Sequence, residues 1–344
     1  MERLKWRVVN IIKETEEAYS FILVNEQGMV VPYEAGQFLT FIFRHRGIEI
    51  RRSYSISSTP GVDKDISITV KRKTNGEISR QLINHVQIGD QLTSIYPAGR
   101  FMAETNAALK RQFFFIAAGS GIVPVFSLIK KILKYEPLSK IILIYQNHHQ
   151  NDIIFKDKLN KLETEYAGSF KCIHLISNPA SKEHLPQKLN NHLLEKLVTE
   201  TAIAVMGKLF FLCGPVSFMR MAQFTLRWMG FTVEQIKKEN FTVDHIPAPP
   251  AIYDTSTKKI TIHFNNKTYQ IETSSQINIL QAALNKNIEL PYSCRSGRCS
   301  NCVAKCIQGK IVMSNNEVLT DRDIENGLVL TCVAYAETDA ELEW

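Results

Sequence analysis

The sequence has no internal repeat, no low-complexity tract and no run of five or six like charges. Its balance of 44% hydrophobic and 22% charged residues excludes collagen-like, coiled-coil and wholly disordered architectures. No basic stripe studded with aromatics is present either, so the usual footprint of a nucleic-acid binder is missing. The N-terminus, Met1-Glu2-Arg3-Leu4-Lys5-Trp6-Arg7, alternates charged with apolar residues and lacks the apolar core of a secretory signal. A cytoplasmic chain with no membrane association is the expectation. The one long uncharged stretch, Gln112–Ile129, is broken by Gly119-Ser120-Gly121 and Pro124, and reads as a buried strand, a tight turn and a helix.

What is present fits a globular protein of two or three domains: 344 residues, 44% hydrophobic and 22% charged. The net charge of +7 is uneven. Basic and acidic residues number 14 and 12 in 1–104, 18 and 12 in 105–256, and 9 and 10 in 257–344. A surplus that belongs mainly to the middle suits a small phosphate-bearing ligand.

Residues 6–100 read as short alternating strands, Trp6–Ile12, Ser20–Val24, Phe38–Phe43, Ile48–Ile56, Ile66–Val70 and Gln91–Tyr96, with one helix near Ser79–Val86. This pattern predicts a closed antiparallel β-barrel. From Phe113 the apolar strands Phe113–Ala117, Lys140–Tyr145, Phe170–Ile176 and Lys208–Cys213 alternate with segments of crossover length. They predict a doubly wound parallel α/β sheet, with a last strand near Glu234–Val243. Asp244-His245-Ile246-Pro247-Ala248-Pro249-Pro250-Ala251 reads as a semi-rigid linker. Beyond it, Lys259–Phe264 and Lys267–Ile271 flank the hairpin turn Asn265-Asn266, and Asn278–Lys286 has helical spacing. The expected division is 1–104, 105–243, a linker 244–256, and 257–344.

Seven cysteines without a secretory signal point to metal or redox chemistry rather than a disulfide framework. Cys294, Cys299 and Cys302 form C-x4-C-x2-C, and Cys332 follows at a distance. Three thiolates on one loop and a distant fourth can wrap a cluster of two irons and two sulfides. Structural zinc more often uses paired C-x2-C units, and only one such unit occurs here. Gly297 permits the φ > 0 turns that aim backbone amides at sulfur. Cys306, on a probable strand, is expected to be a small buried residue and not a ligand; Cys172 and Cys213 also stand outside the pattern. Asn278 to Cys332 resembles a plant-type 2Fe-2S ferredoxin, which implies an α+β β-grasp domain and a one-electron carrier.

Arg52-Ser53-Tyr54-Ser55 ends an alternating strand. An arginine can fork onto a diphosphate, a tyrosine can stack on an isoalloxazine, and a serine can reach flavin N5; a plain surface strand with a core tyrosine is the other reading. Val70-Lys71-Arg72 and then Gly76-Glu77-Ile78-Ser79 at a helix start offer amides to phosphate. Gly119-Ser120-Gly121-Ile122-Val123-Pro124 lies between a strand and a helix, and Cys213-Gly214-Pro215 ends a sheet strand before another helix, where ligands of open α/β sheets collect.

In this order, residues 1–243 resemble the ferredoxin-NADP reductase superfamily, with its Arg-x-Tyr-Ser, Gly-x-x-Ser, Gly-x-Gly-x-x-Pro and Cys-Gly-Pro motifs. The resemblance implies that Arg52, Ser53, Tyr54 and Ser55 hold the flavin, that Val70, Lys71, Gly76, Ile78 and Ser79 line its diphosphate, and that Gly119, Ser120, Gly121 and Pro124 take the nicotinamide nucleotide. Cys213, with Gly214 and Pro215, would meet the nicotinamide ring, so that Ser55 and Cys213 flank the hydride path. Cys213 as a small buried residue is the other reading. Phe241 resembles the family's aromatic beside the flavin and could equally be a core residue. Many relatives carry Thr where Val123 stands. The Gly-x-x-Ser turn fits a diphosphate, so FAD is expected, although phthalate dioxygenase reductases share this domain order with FMN.

The order flavin, nicotinamide, ferredoxin resembles the oxygenase reductases of the phenylacetyl-CoA epoxidase and 3-ketosteroid 9-hydroxylase group. It implies transfer from NAD(P)H through FAD and a 2Fe-2S cluster to an oxygenase or another redox acceptor protein. The alternatives are a general ferredoxin-type or hybrid-cluster-protein reductase and, in another class, a redox-sensing iron-sulfur flavoprotein. Neither an acid nor an arginine follows Lys140–Tyr145 at once, which leaves NADH and NADPH both open. Asp321, Asp323 and Glu325 read as a solvated helix face or as a patch docking alternately on the reductase domains and on an acceptor.

Overall fold

The computed structural model describes residues 3–45, 47–180, 186–203, 207–241, 250, 254 and 256–344. The Pro-rich linker therefore lies almost wholly outside the described residues. No helix among them is long and apolar enough to cross a membrane.

The chain is multi-domain. Strands β1 (Leu4–Thr15), β2 (Ala18–Asn25), β3 (Phe38–His45), β4 (Ile48–Ser55), β5 (Ile66–Lys71) and β6 (Gln91–Ser94) form one antiparallel sheet in the order β4-β3-β6-β1-β2-β5. An Ile56–Ile68 bridge joins its two ends, closing the barrel. Along β1, Leu4, Trp6 and Val8 are buried while Lys5 and Arg7 are exposed, the period-two pattern of a strand with one face in a core. Buried Trp6 gives its Nε1–H to Ser94 Oγ at 2.7 Å. Helix α1 (Glu77–His85) begins two residues earlier than expected and buries Ile78 and Leu82 in the barrel core. Strand β6 stops at Ser94 rather than Tyr96, close to Pro97, which has no N–H to donate.

Strands β7 (Gln112–Ala118), β8 (Lys140–Asn147), β9 (Phe170–Ile176), β10 (Lys208–Cys213) and β11 (Ile236–Glu239) form a parallel sheet in the order β11-β10-β7-β8-β9. Strand β11 is shorter than the span Glu234–Val243, of which Thr242 and Val243 lie outside the described residues. Alternate residues of β7 and β10 face opposite cores: Phe113, Phe115 and Phe211 pack under α2 (Ile122–Tyr135) and beside Leu159 of α3 (Lys156–Glu165), whereas Phe114, Ile116 and Phe210 pack with α4 (Asn191–Thr201) and α5 (Val216–Trp228). Burial on both faces explains why these strands read as unbroken apolar runs.

The third unit holds β12 (Lys258–Phe264), β13 (Lys267–Thr273), α6 (Ile279–Asn285), β14 (Val303–Gln308), β15 (Ile311–Met313), α7 (Asp321–Glu325), β16 (Leu328–Leu330), β17 (Ala334–Ala336) and β18 (Ala340–Glu343). Its main sheet runs β13-β12-β18-β14-β16, with β12 and β18 parallel and the other pairs antiparallel. Asn265 and Asn266 both have positive φ, 52° and 58°, as a two-residue hairpin turn requires. Asn278 caps α6 by accepting the Gln281 N–H at 2.8 Å.

Candidate functional site

The loop from Cys294 to Cys302 connects the end of the α6 segment to β14. Arg295, Gly297 and Ser300 have φ of 57°, 74° and 53°, so the backbone turns back on itself three times within nine residues. A side chain at Gly297 would place its Cβ 2.8 Å from the Asn315 carbonyl oxygen, a contact only glycine avoids. The turns bring amides to sulfur: Ser296 N–H donates to Cys294 Sγ and Cys294 N–H to Cys299 Sγ, both at 3.4 Å. Thr331 Oγ1 donates to the Cys302 carbonyl at 2.9 Å, which seats Cys332 beside the loop. Cys302 and Cys332 are buried, and Cys294 and Cys299 half-buried.

The four thiols form one hydrogen-bonded group. Bonds from Cys299 and then Cys332 pull the Cys294 thiol far below its ordinary value, and a bond from Cys332 pulls Cys302 down, while Cys299 and Cys332 are pushed up as their donors. Converging sulfurs, donated amides and a side-chain-free turn are what a thiolate-ligated iron-sulfur cluster requires, so these residues fit it. No group of three or more His, Cys, Asp or Glu among the described residues is spaced around a single metal ion. Cys306, expected to be buried, is half-buried, because β14 bulges between Cys306 and Gln308 and its thiol turns to the Gln308 carbonyl at 3.3 Å.

On the barrel, β4 carries Arg52 and Ser53 exposed, Tyr54 half-buried and Ser55 only 6% exposed. Ser55 Oγ is buried and has no hydrogen-bond partner among the described residues, an orphan hydroxyl that suits a ligand heteroatom. The Tyr54 ring lies 6.2 Å from that of Phe41, and burial pushes its phenol up. Arg52 turns its guanidinium to the Arg51 carbonyl at 2.8 Å. Ser53 faces elsewhere, toward the cluster loop. Val70 and Ile78 are buried, so only their backbones can meet a ligand. Ser79 Oγ is committed to its own turn, accepting the Lys73 N–H and donating to the Gly76 carbonyl, both at 3.1 Å. A Cβ on Gly76 would collide with Ser79 Oγ and Lys73 Cβ, each at 2.7 Å.

The nucleotide side forms where strand ends meet helix starts. After β7 the chain makes a tight turn over Gly119–Gly121 and enters α2 at Ile122, with Pro124 in its first turn. A Cβ on Gly121 would stand 2.1 Å from the Cys213 carbonyl oxygen, so this glycine is what lets the turn close on the end of β10. A Cβ on Gly119 would lie 3.8 Å from Lys71 Nζ, which brings the barrel's lysine to this turn. Ser120 is half-buried beside it, and Gly214 and Pro215 lead from β10 into α5. Val123 is buried, 2% exposed, and offers the site no polar atom. Cys213 is 0% exposed, and burial, with the Glu239 charge second, holds its thiol well above the usual range. Phe241 is 46% exposed, which excludes the reading of it as a core residue.

Sequence reasoning missed two residues here. Glu239 sits in register with Cys213 on the neighbouring strand, and its Oε2 is buried without a partner among the described residues, although the residue as a whole is half-buried. Burial pushes its carboxyl up to about 8. The sign was an acid directly preceding Asn240-Phe241, at the end of a strand that otherwise carries lysines. The other is Tyr145, fully buried at the end of β8, whose hydroxyl donates to the Gly119 carbonyl at 3.0 Å and anchors the turn.

The cluster loop lies against β3 and β4. Ser53 Oγ and Ser293 Oγ are 2.5 Å apart, Asn301 Nδ2 reaches Thr40 Oγ1 at 3.5 Å, and the Arg51 guanidinium stacks 3.8 Å over the Tyr292 ring while donating to its carbonyl at 3.3 Å. Asp323 pairs with Arg100 of the barrel and closes the N-terminal turn of α7, while Asp321 and Glu325 remain exposed.

The chain matches three family descriptions in succession: an oxidoreductase FAD-binding domain over residues 7–102, an oxidoreductase NAD-binding domain over 115–223, and a 2Fe-2S iron-sulfur cluster binding domain over 262–337. It is 30% identical to a subunit of 1,2-phenylacetyl-CoA epoxidase from Escherichia coli (strain K12), across 96% of this chain and 94% of that one. It is 29% identical to the ferredoxin reductase component of 3-ketosteroid-9-alpha-monooxygenase from Mycobacterium tuberculosis, across 98% and 94%. Among solved structures, phthalate dioxygenase reductase aligns with a TM-score of 0.60 at 23% identity, over 99% of this chain and 97% of that one, a likeness of fold.

Proposed function

Since this chain belongs to the family of that 1,2-phenylacetyl-CoA epoxidase component, with FAD-binding, NAD-binding and 2Fe-2S domains in one polypeptide, we propose that it oxidises NAD(P)H in the cytoplasm and delivers the electrons one at a time to an oxygenase. The observation that carries this reading is the seating of the cluster loop on the strand that bears Arg52 to Ser55. Ser293, next to the first cluster cysteine, touches Ser53, next to Tyr54.

The placements support the following roles. We assign residues 1–104 to the flavin, 105–243 to the nucleotide and 257–344 to the cluster. When bound, FAD converts a two-electron hydride donation into single-electron transfers to the cluster. Ser55 would supply the hydroxyl and Tyr54 the ring that position a bound flavin, and Arg52 would supply a guanidinium for its diphosphate. The turn at Gly76 offers the backbone amides of Ile78 and Ser79 at the N-terminus of α1, a natural phosphate cradle, while Lys71 reaches the Gly119 turn. Gly119, Ser120, Gly121 and Pro124 shape the nucleotide turn. Cys213, protonated and compact ahead of Gly214 and Pro215, excludes water from the hydride path, and buried Glu239 holds a proton beside it near neutral pH. Phe241, with its ring exposed, would cover a bound flavin. Cys294, Cys299, Cys302 and Cys332 ligate the cluster.

Purified protein is expected to be red-brown with one flavin and two irons per chain, and to bleach its flavin on addition of NADH or NADPH. Zinc in place of iron, or no flavin after gentle purification, overturns the reading. Cys213→Leu should slow bleaching while flavin content holds; bleaching at the parent rate would remove Cys213 from the hydride path. Delivery to the acceptor is tested by reconstitution with the purified oxygenase, against ferricyanide and a cytochrome as artificial acceptors.

A further inference from the structure

Glu317, in the segment between β15 and α7, makes contacts to two domains at once. Its backbone N–H donates to the Gly297 carbonyl at 3.1 Å, and its Oε1 accepts from Arg298 Nε at 3.0 Å. Gly297 and Arg298 are the cluster-loop residues just ahead of Cys299. Its other oxygen, Oε2, accepts from Asn240 Nδ2 at 2.9 Å. Asn240 directly follows Glu239, which ends β11 beside Cys213. One carboxylate thus links the tightest turn of the cluster loop to the end of the nucleotide sheet. The side chains of Arg298 and Glu317 are 15% and 25% exposed, so their attraction is less screened than that of a surface pair.

The rest of the interface makes this link consequential. The hydrophobic core of the third domain contains residues from 260 to 344 only, and the cores of the first two domains contain none of them. No apolar seam among the described residues fastens the cluster domain down. What holds it is a set of polar contacts: Ser53 with Ser293, Thr40 with Asn301, Arg51 with Tyr292, Arg100 with Asp323, and Asn240 with Glu317. Most of these grip the cluster domain from the barrel. Asn240 grips it from the nucleotide sheet.

We propose that Glu317 is a positioning residue: through Asn240 it clasps the cluster loop to the nucleotide domain and sets the docked position in which the flavin reduces the cluster. This rests on the reading that electrons pass from flavin to cluster. Asn240 is the arm to cut, because Arg298 and Glu317 then stay paired within the cluster domain. In Asn240→Ala holoprotein, stopped-flow mixing with NADH should show flavin bleaching at the parent rate and cluster reduction slowed about tenfold, with the cluster's EPR spectrum unchanged. Hydrogen exchange at the amides of residues 292–301 should rise in the same variant. The isosteric Asn240→Asp sets two carboxylates face to face, so it should slow cluster reduction further and recover in part at high salt, a response that a loss of packing would not give. Parent rates of cluster reduction and parent exchange in Asn240→Ala would overturn the proposal, as would a salt-independent Asn240→Asp. A wild-type protein whose flavin bleaches while its cluster stays oxidised would instead overturn the electron-transfer reading itself.

Discussion

The four-cysteine loop and the strand end at Cys213 place polar atoms in opposite surroundings. Around Cys294–Cys302, left-handed turns at Arg295, Gly297 and Ser300 direct amides at sulfur, and the thiols bond to one another, which favours charge on Cys294 and Cys302 at the expense of their donors Cys299 and Cys332. Around Cys213 the reverse holds: Glu239 Oε2 is buried and lacks a partner among the described residues, as Ser55 Oγ does on the barrel, and burial pushes both the Cys213 thiol and the Glu239 carboxyl up toward their neutral forms. A site that binds cationic metal needs anionic ligands already supported. One that moves a hydride gains from dry, uncharged walls with a few polar atoms reserved for the ligand.

The sharpest test of this contrast is the loss of one ligand. Cys299→Ser should reduce the iron content from two per chain to almost none while flavin content stays at the parent level; Cys306→Ser, on its bulged strand, should retain the iron. Loss of iron in both would mean that the loop is less self-sufficient than its hydrogen bonds indicate.

Next in size is Gly121→Ala. Its Cβ would meet backbone, the Cys213 carbonyl oxygen at 2.1 Å, which cannot rotate away. A cost of about 1–3 kcal/mol in stability is expected for such overpacking, with slower flavin bleaching by nucleotide. Denaturant melts and stopped-flow traces check the two effects separately.

A third test uses pH. Burial pushes the Glu239 carboxyl up to about 8 in the folded chain, against 4.5 when unperturbed. Between these values the folded state holds a proton that the unfolded state has released, so stability falls as pH rises through this window and levels off above it. Glu239→Gln should remove that slope, worth on the order of a few kcal/mol. Parallel wild-type and variant curves from pH 5 to 9 would show that the carboxyl is already ionised and hydrated.

The smallest effect is expected at the rim of the cluster domain. Arg100, 39% exposed, pairs with Asp323, 15% exposed. Arg100→Ala should cost less than about 1 kcal/mol, and the difference from wild type should vanish at high salt.

The fold was largely legible because its periods are local. Alternation in 6–100, apolar runs separated by crossovers in 113–213 and the Asn265-Asn266 turn each report their own backbone geometry within a few residues. The grouping of the cysteines was equally legible, since Cys294, Cys299 and Cys302 share one loop whose wrapping depends on spacing alone. Misread details were those decided by neighbours: the bulge that leaves Cys306 half-buried, and the early ends of β6 and β11.

By itself the sequence determined the three-part order, the four-cysteine loop and the motifs at the strand ends, because each depends on residues adjacent along the chain. Only the tertiary structure decided that Glu239 lies beside Cys213, that Tyr145 anchors the Gly119 turn, that Ser53 faces Ser293, and that Glu317 joins Arg298 to Asn240. These pairs are separated by 19 to 240 residues along the chain. Their partners meet only once separate strands have taken their register and the domains have docked, a geometry that no local period encodes.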